Sequence, residues 1–369
     1  MLFIAIKNLF QEKTRFLISV GGVAFSVLLI LILVGLYQGW QNRMGEYIRE
    51  LPADLWVGQE GSRDMFHSVS IISLSDKEKI ESIDSVSQVA SFSGRQMELH
   101  LNGKEAPTFV VGYDADSGVG GPLRIVEGKA VPSSGEIIVD RVFSENKKVK
   151  IGETLPIGQE DFKIAGISEG GNLVLYQYSF ISKEDAERLF KLSDVTNYFL
   201  VKLTDKSKGK QVADEIKKVV PESQVFTKQE FVDKNTEIVT ETFLPIILVL
   251  VLIGFAVGVA VIGLTIFTST IEKSREYGVL KAIGVTNGQL YMIVIEQALV
   301  AGIVGYFVGL MFALVLNLFV GRFVPEFITL FRIFDMVWIF GATLLMAILA
   351  AFIPSRRIAH INPAEVFKA

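Results

Sequence analysis

The sequence contains no cysteine and only three histidines among its 369 residues. Without cysteine there is no disulfide, no thiol chemistry and no cysteine-ligated metal. The histidines are His67, His100 and His360, and their spacing does not match the H-E-x-x-H or H-x-x-x-H patterns of a metal site. No G-x-S-x-G sequence surrounds a serine, which argues against a Ser-His-Asp hydrolase. We therefore predict no catalytic and no metal-ligating residue in this chain.

The chain also lacks the G-x-x-x-x-G-K-[ST] sequence of a phosphate-binding P-loop. Three Gly-Lys pairs begin at Gly103, Gly128 and Gly209, but none is followed by Ser or Thr. We therefore expect this chain to bind no cofactor, and an ATPase that drives it would have to be a separate polypeptide. The net charge of −4, with no basic stripe outside the membrane flanks, also argues against nucleic acid as a partner.

One segment is partly similar to a calcium-binding loop. Residues 113–121 contain Asp114 and Asp116 with the alternation that such a loop requires. However, the glycine falls one place early, and the twelfth position from Asp114 is Ile125 instead of an acid. The segment is therefore predicted to be a glycine-rich surface turn.

Charge is scarce in four stretches of the sequence that are rich in apolar residues. Half of all residues are hydrophobic, which is unusual for a soluble domain. Because a helix needs about 20 apolar residues to cross the hydrocarbon core of a membrane, we predict four transmembrane helices. They cover residues 16–37, 243–269, 291–320 and 336–353. The first apolar run is longer than the h-region of a signal peptide, about 7–15 residues, so it is predicted to be an uncleaved span.

Lysine and arginine flank the predicted spans mainly on one side of the membrane. They are Lys7, Lys13 and Arg15, then Lys273, Arg275 and Lys281, and finally Arg356, Arg357 and Lys368. The positive-inside rule therefore predicts that the N-terminal segment 1–15, the loop 270–290 and the tail 354–369 are cytoplasmic, and that residues 38–242 lie outside the cytoplasm. We expect a multi-pass protein of the cell membrane, in contact with its lipids (the inner membrane if the source is Gram-negative).

The region between the first two spans is long enough for one or two small domains. Its two ends alternate strand patterns and helix patterns, whereas residues 103–171 are rich in strand patterns and glycine. We predict an α/β subdomain, about 54–102 and 172–235, that is split by an inserted β-rich subdomain at 103–171. The predicted fold is an α-helical integral membrane protein with four transmembrane helices and a large extracytoplasmic α+β domain.

Two helices in this region carry N-cap signals. Ser75 precedes a helical pattern over residues 75–86, and Glu78 is placed to complete a capping box. Ser182 precedes a second helical pattern over residues 182–191. We predict that both serines cap helices.

Inside the predicted spans, two glycine pairs and one acid are notable. Gly254 and Gly258, and likewise Gly305 and Gly309, are four residues apart, a spacing that lets helix backbones approach closely. These pairs favour tight packing of the helices or dimerisation. Glu296 is the one ionisable residue well inside a span. It is either a functional residue of the helix bundle or an acid that stays hydrated near the interface.

The loop between the second and third spans contains a short amphipathic pattern. We predict a helix over Glu272–Ile283, followed by a break at Gly284 and Val285. Thr286 and Gln289 are spaced to form a capping box that begins the third span. A helix this short is not stable alone, so it needs a surface to pack on.

Two kinds of surface would suit this helix. Lipid headgroups would accept its basic and apolar side chains. A groove in another protein would instead receive Tyr277, Leu280 and Ile283 as anchors. The residues by themselves leave both alternatives open.

The same loop carries a resemblance to a known family. The segment Ile271–Leu310 resembles the C-terminal permease module of FtsX/MacB-like ABC transporter permeases. The tail is similar to the family's closing pattern, and residues 135–167 are similar to a stretch of its outer domain. Residues 49–59 also resemble the DevC-like and lipoprotein-release branches. The matching positions are Arg275, Glu276, Gly278, Leu280, Lys281, Ala282, Gly284, Thr286, Gln289 and Glu296 in the module, and Pro354, Pro363, Ala364 and Glu365 in the tail.

The resemblance implies a division of labour between chains. It implies a MacB-like periplasmic core domain at 38–242, an FtsX-like permease module at 243–369, and a coupling helix that docks on a separate ABC ATPase carrying ATP and Mg²⁺. It also implies a second permease copy, as a homodimer or related heterodimer, and allows a membrane-fusion protein as a further partner. The coupling residues would be Glu272, Arg275, Glu276, Tyr277, Gly278, Leu280, Lys281, Ile283 and Gly284.

The function implied is that of a non-catalytic permease subunit. ATP hydrolysis on the partner would move the outer domain, which would export or extract a lipid, lipoprotein, glycolipid, peptide or drug by mechanotransmission. The alternative is an FtsX-like signal transmitter that activates an extracytoplasmic hydrolase or a sensor kinase. The large split outer domain resembles the MacB-like exporters more closely than the small domain of the cell-division members.

Overall fold

The computed structural model describes residues 12–66, 70–101, 104–170, 176–324 and 327–359. The chain forms two compact units. We call Met1–Gly39 with Thr242–Ala369 the helical unit, and Trp40–Glu241 the sheet unit. Several residues singled out from the sequence lie outside the described residues, namely Lys7, His67, His360, Pro363, Ala364, Glu365 and Lys368.

Within the described residues, four helices are long and apolar enough to cross a membrane. They are α1 (Lys13–Glu50), α6 (Lys228–Glu272), α8 (Asn287–Phe323) and α9 (Ile333–Ala359). Each predicted span lies inside one of them, so the number and order of the membrane helices are confirmed.

Two of these helices extend well beyond the predicted spans. The bounds of α1 and α6 include residues of both units, because polar helical sequence continues each apolar run into the sheet unit. Pro245 lies in the interior of α6. An interior proline removes one backbone hydrogen bond of the helix, so α6 is weakened locally at this position.

The paired glycines lie where helices of one chain approach each other. A Cβ atom added to Gly305 would lie 2.6 Å from the Cβ of Val23, and one added to Gly309 would lie 2.6 Å from the carbonyl oxygen of Ala24. Both contacts join α8 to α1. The corresponding distances for α6 are 3.3 Å from Gly254 to Leu29 and 2.8 Å from Gly258 to Met346. All four glycines thus serve packing within the helical unit.

The described residues of the sheet unit form one ten-stranded mixed sheet and a small second sheet. The strands of the large sheet are β1 (Leu55–Gln59), β3 (Val86–Leu101), β4 (Lys104–Tyr113), β5 (Arg124–Gly128), β6 (Glu136–Asp140), β7 (Thr154–Ile157), β8 (Glu160–Glu169), β9 (Gln177–Ser182), β11 (Tyr198–Leu203) and β12 (Ser223–Thr227). The order is β12-β1-β11-β3-β4-β9-β6-β8-β5, and β7 pairs with β3 and β8. A separate two-stranded sheet joins β2 (Ile72–Ser73) to β10 (Val195–Thr196). Among the pairs of the large sheet, β4 with β9 and β6 with β8 are parallel.

The segment predicted as an inserted subdomain, 103–171, does not form a sheet of its own. Its strands β4 to β8 continue the same sheet as the flanking strands. The segment does contribute to a distinct hydrophobic core, in which Phe143, Phe162 and Ile164 are buried with Leu99. The short helices of the unit are α2 (Asp76–Glu81), α3 (Arg141–Lys147), α4 (Lys183–Phe190) and α5 (Gly209–Val219).

One of the two predicted N-caps is confirmed and the other is wrong. The Ser182 side chain accepts a hydrogen bond from the backbone N–H of the third residue after it, at 3.1 Å. Ser75 has helical dihedral angles and makes no side-chain cap bond, because its hydroxyl lies 2.9 Å from that of Ser73. The helix that follows ends at Glu81, and β3 begins at Val86.

The glycine-rich segment forms a turn, as predicted. Ala115–Ser117 is a single 3₁₀ turn that ends at Gly118, whose φ is +64°. This left-handed conformation favours glycine, which explains the early glycine that broke the calcium-loop pattern.

Candidate functional site

The short helix predicted between the second and third spans exists, but it does not stand alone. It is α7 (Ser274–Ala282), and only Lys273 separates it from α6. Backbone hydrogen bonds continue across this residue, from Lys273 N–H to the Ser269 carbonyl and from Tyr277 N–H to the Lys273 carbonyl, both at 3.0 Å. The predicted residue Glu272 is therefore the last residue of α6. Since α7 grows from a long helix, it avoids the cost of nucleation that destabilises an isolated short helix.

A glycine terminates α7 at the predicted position. Gly284 has φ of +101°, and its N–H donates to the carbonyl of Lys281 at 3.0 Å. The N–H of Val285 donates to the carbonyl of Leu280, also at 3.0 Å. These two bonds form a Schellman motif, which satisfies the free carbonyls at the end of a helix.

The predicted capping box at the start of α8 is confirmed. The N–H of Gln289 donates to the hydroxyl of Thr286 at 3.4 Å, and the Gln289 side chain accepts from the N–H of Thr286 at 2.9 Å. The turn between α7 and α8 is thus defined on both sides by local hydrogen bonds.

One face of α7 is held against the helix bundle. Tyr277 is 2% exposed, Gly278 is buried, and Leu280 is half-buried against the bundle core. The expectation that Tyr277 projects outward as an anchor is therefore wrong. Leu280 is only partly accessible, because part of its side chain packs on the bundle. Both side chains face the helices on which α7 packs, because the bundle occupies the side of α7 on which Tyr277 lies.

A second attachment on this face is polar. The Tyr277 side chain shares a hydrogen bond with Gln297 of α8, and burial raises the pKa of the Tyr277 hydroxyl to about 12. The hydroxyl is therefore neutral at physiological pH and available for this hydrogen bond. Gln297 is itself buried.

The opposite face of α7 is exposed and mixes charged with apolar side chains. Arg275 and Glu276 are exposed, as are Val279 at 42% and Ile283 at 73%. Lys281 is half-buried. Exposed large apolar residues beside charged ones are typical of a protein-docking surface. We call Arg275, Glu276, Val279 and Ile283 the outer face of α7.

Charged residues surround the bend at Lys273. Glu272 forms an ion pair with Arg15 of α1, and Lys273 lies 3.3 Å from Glu12. Glu12 and Arg15 also pair, at 2.9 Å. The sequence assigned Glu272 to docking and used Arg15 and Lys273 only to orient the spans, and it did not predict these ion pairs, since residues so far apart in sequence leave no local pattern.

Glu296 lies on α8, next to Gln297. It is half-buried, and its Oε2 atom is buried without a hydrogen-bond partner among the described residues. An unpaired carboxylate oxygen in such surroundings is costly. The structure thus places the acid near the attachment point of α7.

Family comparisons cover both units. Residues 16–219 match the model of the MacB-like periplasmic core domain, and residues 246–363 match that of the FtsX-like permease C-terminal module. The first match alone spans more than half of the chain.

Individual relatives agree with these matches. An uncharacterized ABC transporter permease of Methanocaldococcus jannaschii is 24% identical over 403 residues, which cover 99% of this chain and 96% of the relative. A second uncharacterized ABC transporter permease, from Mycobacterium tuberculosis, is 22% identical over 372 residues, which cover 100% of this chain and 99% of the relative. The periplasmic region of MacB from Actinobacillus actinomycetemcomitans is 12% identical, with a TM-score of 0.39 over 49% of this chain and 92% of the other. The chain belongs to the family of ABC transporter permeases that combine a MacB-like periplasmic core domain with an FtsX-like permease module.

Proposed function

We propose that this permease docks a separate ATPase subunit on the outer face of α7 and passes the movement of that subunit to the sheet unit. The observation that carries the proposal is the exposure of Ile283 and Val279 on a helix whose other face is fixed in the bundle. A partner would bind to the exposed apolar face. Because the other face is fixed in the bundle, α7 cannot rotate freely, and a displacement of the partner would be transmitted to the bundle.

The path for this movement is a single helix. The first residue of α6 follows β12 directly, and its last residue precedes the bend into α7. A helix rises about 1.5 Å per residue, so the 45 residues of α6 are long enough to cross a membrane and extend beyond it. Movement of α7 would therefore be transmitted along α6 to β12, the strand at the edge of the sheet.

Within the sheet unit, the start of α6 is tied to the end of α1. The Lys228 ammonium donates to the carbonyl oxygen of Leu51 at 2.6 Å, where α1 has just ended. Gln41 of α1 donates to the hydroxyl of Thr240 of α6 at 2.9 Å. These bonds support joint movement of the two helices in this unit.

The remaining parts of the proposal follow from family membership and charge. Both termini and α7 would face the cytoplasm, and residues 38–242 would lie outside it, by the positive-inside rule. Two permease copies and two ATPase subunits would form the working unit. The sheet unit would act on a lipid, lipoprotein, glycolipid, peptide or drug outside the membrane, and a membrane-fusion protein would be the natural partner in an exporter.

The test is co-purification of the full chain after expression with its neighbouring genes, followed by an assay for a bound P-loop ATPase. Replacing Val279 and Ile283 together by Asp should reduce ATPase recovery about tenfold, because two charges would be placed in an apolar contact. Val131→Asp is the matched control, since Val131 is 48% exposed but lies on the sheet unit. Undiminished ATPase recovery with the double variant would refute docking on the outer face of α7.

A further inference from the structure

Two helix ends meet at the bend between α6 and α7. Glu12 precedes the first residue of α1, and its carbonyl accepts the first helical hydrogen bond, from Phe16 N–H at 3.0 Å. Lys273 follows the last residue of α6. A negative charge is favourable at a helix N-terminus and a positive charge at a C-terminus, so both residues suit the helix ends they occupy.

The Lys273 ammonium requires a counter-charge. The residue is only 7% exposed, and a charge buried to this extent is costly unless it is paired. Glu12 supplies the pair, with its Oε1 atom 3.3 Å from the lysine Nζ. The other carboxylate oxygen of Glu12 accepts from Arg15 Nη1 at 2.9 Å.

Arg15 extends this pairing back to α6. Its second guanidinium nitrogen donates to Glu272, the residue just before the bend. Glu12, Arg15, Glu272 and Lys273 therefore form a neutral chain of alternating charges that links the start of α1 to the end of α6. We call these four residues the clasp.

The surroundings of the clasp allow it to open. A cavity of about 20 Å³ lies beside it, and its lining mixes apolar with polar and charged side chains, namely Phe16, Ile266, Glu12, Arg15, Ser19, Thr265, Ser269 and Gln297. A cavity of this size is large enough for one water molecule, and its polar and charged side chains offer that water hydrogen-bond partners. Hydration lowers the cost of separating charges, so the clasp suits a contact that breaks and reforms better than a permanent one.

We propose that Glu12 and Arg15 are positioning residues for coupling. They bind Glu272 and Lys273, the two residues just before α7, to the start of α1, and so set the direction of α7. This inference rests on the proposed docking function, since the direction of α7 matters only if a partner pushes on it. A movement of α7 would then be transmitted to two helices. It would reach α6 through the backbone and α1 through the clasp.

Charge exchange in the full chain tests the clasp. Arg15→Glu and Glu272→Arg should each increase the rate of amide hydrogen exchange over α7 about tenfold, measured in lipid nanodiscs without ATPase. The double variant R15E/E272R should return the rate part of the way, to within about threefold of the original, because the pair with residue 272 is restored with reversed polarity whereas position 15 then repels Glu12. Lys13→Glu is the matched control, since Lys13 is exposed on the same turn of α1 and is not part of the clasp.

The second readout is made in the ATPase complex. Each single variant should retain the ATPase but lose most of the stimulation of its turnover by the permease, and the double variant should recover part of that stimulation. Unchanged exchange over α7 in both single variants, or failure of the double variant to recover, would overturn the proposal. If no ATPase binds even the unaltered chain, the docking function fails, yet the exchange experiment still decides whether the clasp orders α7.

Discussion

The side chain of Tyr277 in α7 shares a hydrogen bond with the side chain of Gln297 in α8. Both residues are buried, at 2% and 3% exposure. The bond joins a helix with an exposed outer face to the interior of the bundle. It holds the inward face of α7 at a point separate from the charged residues around Lys273.

Tyr277→Phe should destabilise the helical unit by about 1–3 kcal/mol, because it leaves the buried Gln297 amide without this partner. The change keeps the ring and its packing, so the loss reports on the hydroxyl. Thermal unfolding of the full chain in detergent measures it. The double variant Y277F/Q297L is the control and should recover most of the loss, since it removes both polar groups. Equal stability of Tyr277→Phe and the unaltered chain would show that the hydrogen bond contributes nothing.

Asp140 in the sheet unit gives a prediction about pH. It is 2% exposed and caps α3, where its side chain accepts from the N–H of Val142 at 2.8 Å. Burial raises the pKa of its carboxyl from 3.8 to about 6, against the lowering effect of the cap bonds. The folded state therefore binds the proton more tightly than the unfolded state.

The sign of the effect follows from this difference. The contribution of Asp140 to stability is fully present below pH 4 and is lost as pH rises to about 6, by about 3 kcal/mol at about 1.4 kcal/mol per pKa unit. Asp140→Asn retains a cap acceptor but does not titrate, so this part of the pH dependence should disappear. Amide exchange over β6 and α3 between pH 4 and 7 measures it. Identical pH dependence in both proteins would contradict the assignment.

The close approach of α8 to α1 predicts opposite effects for two glycine substitutions. Gly309→Ala should destabilise the helical unit by about 1–3 kcal/mol, because the new methyl group would lie 2.6 Å from a backbone carbonyl oxygen. Gly341→Ala in α9 is the matched control, since no described atom lies within 4 Å of its added Cβ. It should stabilise the helix by up to about 1 kcal/mol through helix propensity alone. Thermal unfolding compares the two, and a harmless Gly309→Ala would mean that the helices do not pack this closely.

Local sequence patterns predicted local structure well. The membrane helices follow from apolar runs, and the caps at Ser182 and Thr286 follow from hydroxyl side chains that reach the backbone within three residues. The glycine that terminates α7 was also found from the sequence. The predicted cap at Ser75 failed because its hydroxyl bonds to Ser73, a competing contact that the capping pattern does not reveal.

Long-range relationships were not predictable in the same way. The amphipathic pattern of α7 indicates that the helix needs a surface, but it does not indicate which face the bundle takes, and so Tyr277 was assigned to the wrong side. The pairing of Arg15 with Glu272 joins residues far apart in sequence. In the sheet unit, the buried Asp185 accepts from Ser134 and from the backbone of Gly135, which likewise leaves no local signal. Such contacts depend on tertiary packing, whereas caps and spans depend on neighbours along the chain.

A substitution of Glu296 tests its effect on stability and its effect on activity separately. One of its carboxylate oxygens is buried without a hydrogen-bond partner among the described residues, and an uncompensated oxygen of this kind costs free energy. Glu296→Gln removes the charge and keeps the shape, so it should raise the free energy of unfolding by about 1 kcal/mol. If the acid serves coupling, the same change should lower ATP-driven activity of the permease–ATPase complex about tenfold while ATPase binding is retained. Thermal unfolding and ATPase turnover, measured on one preparation, check both expectations. Full activity with raised stability would show that Glu296 is an acid tolerated near the membrane interface with no part in coupling.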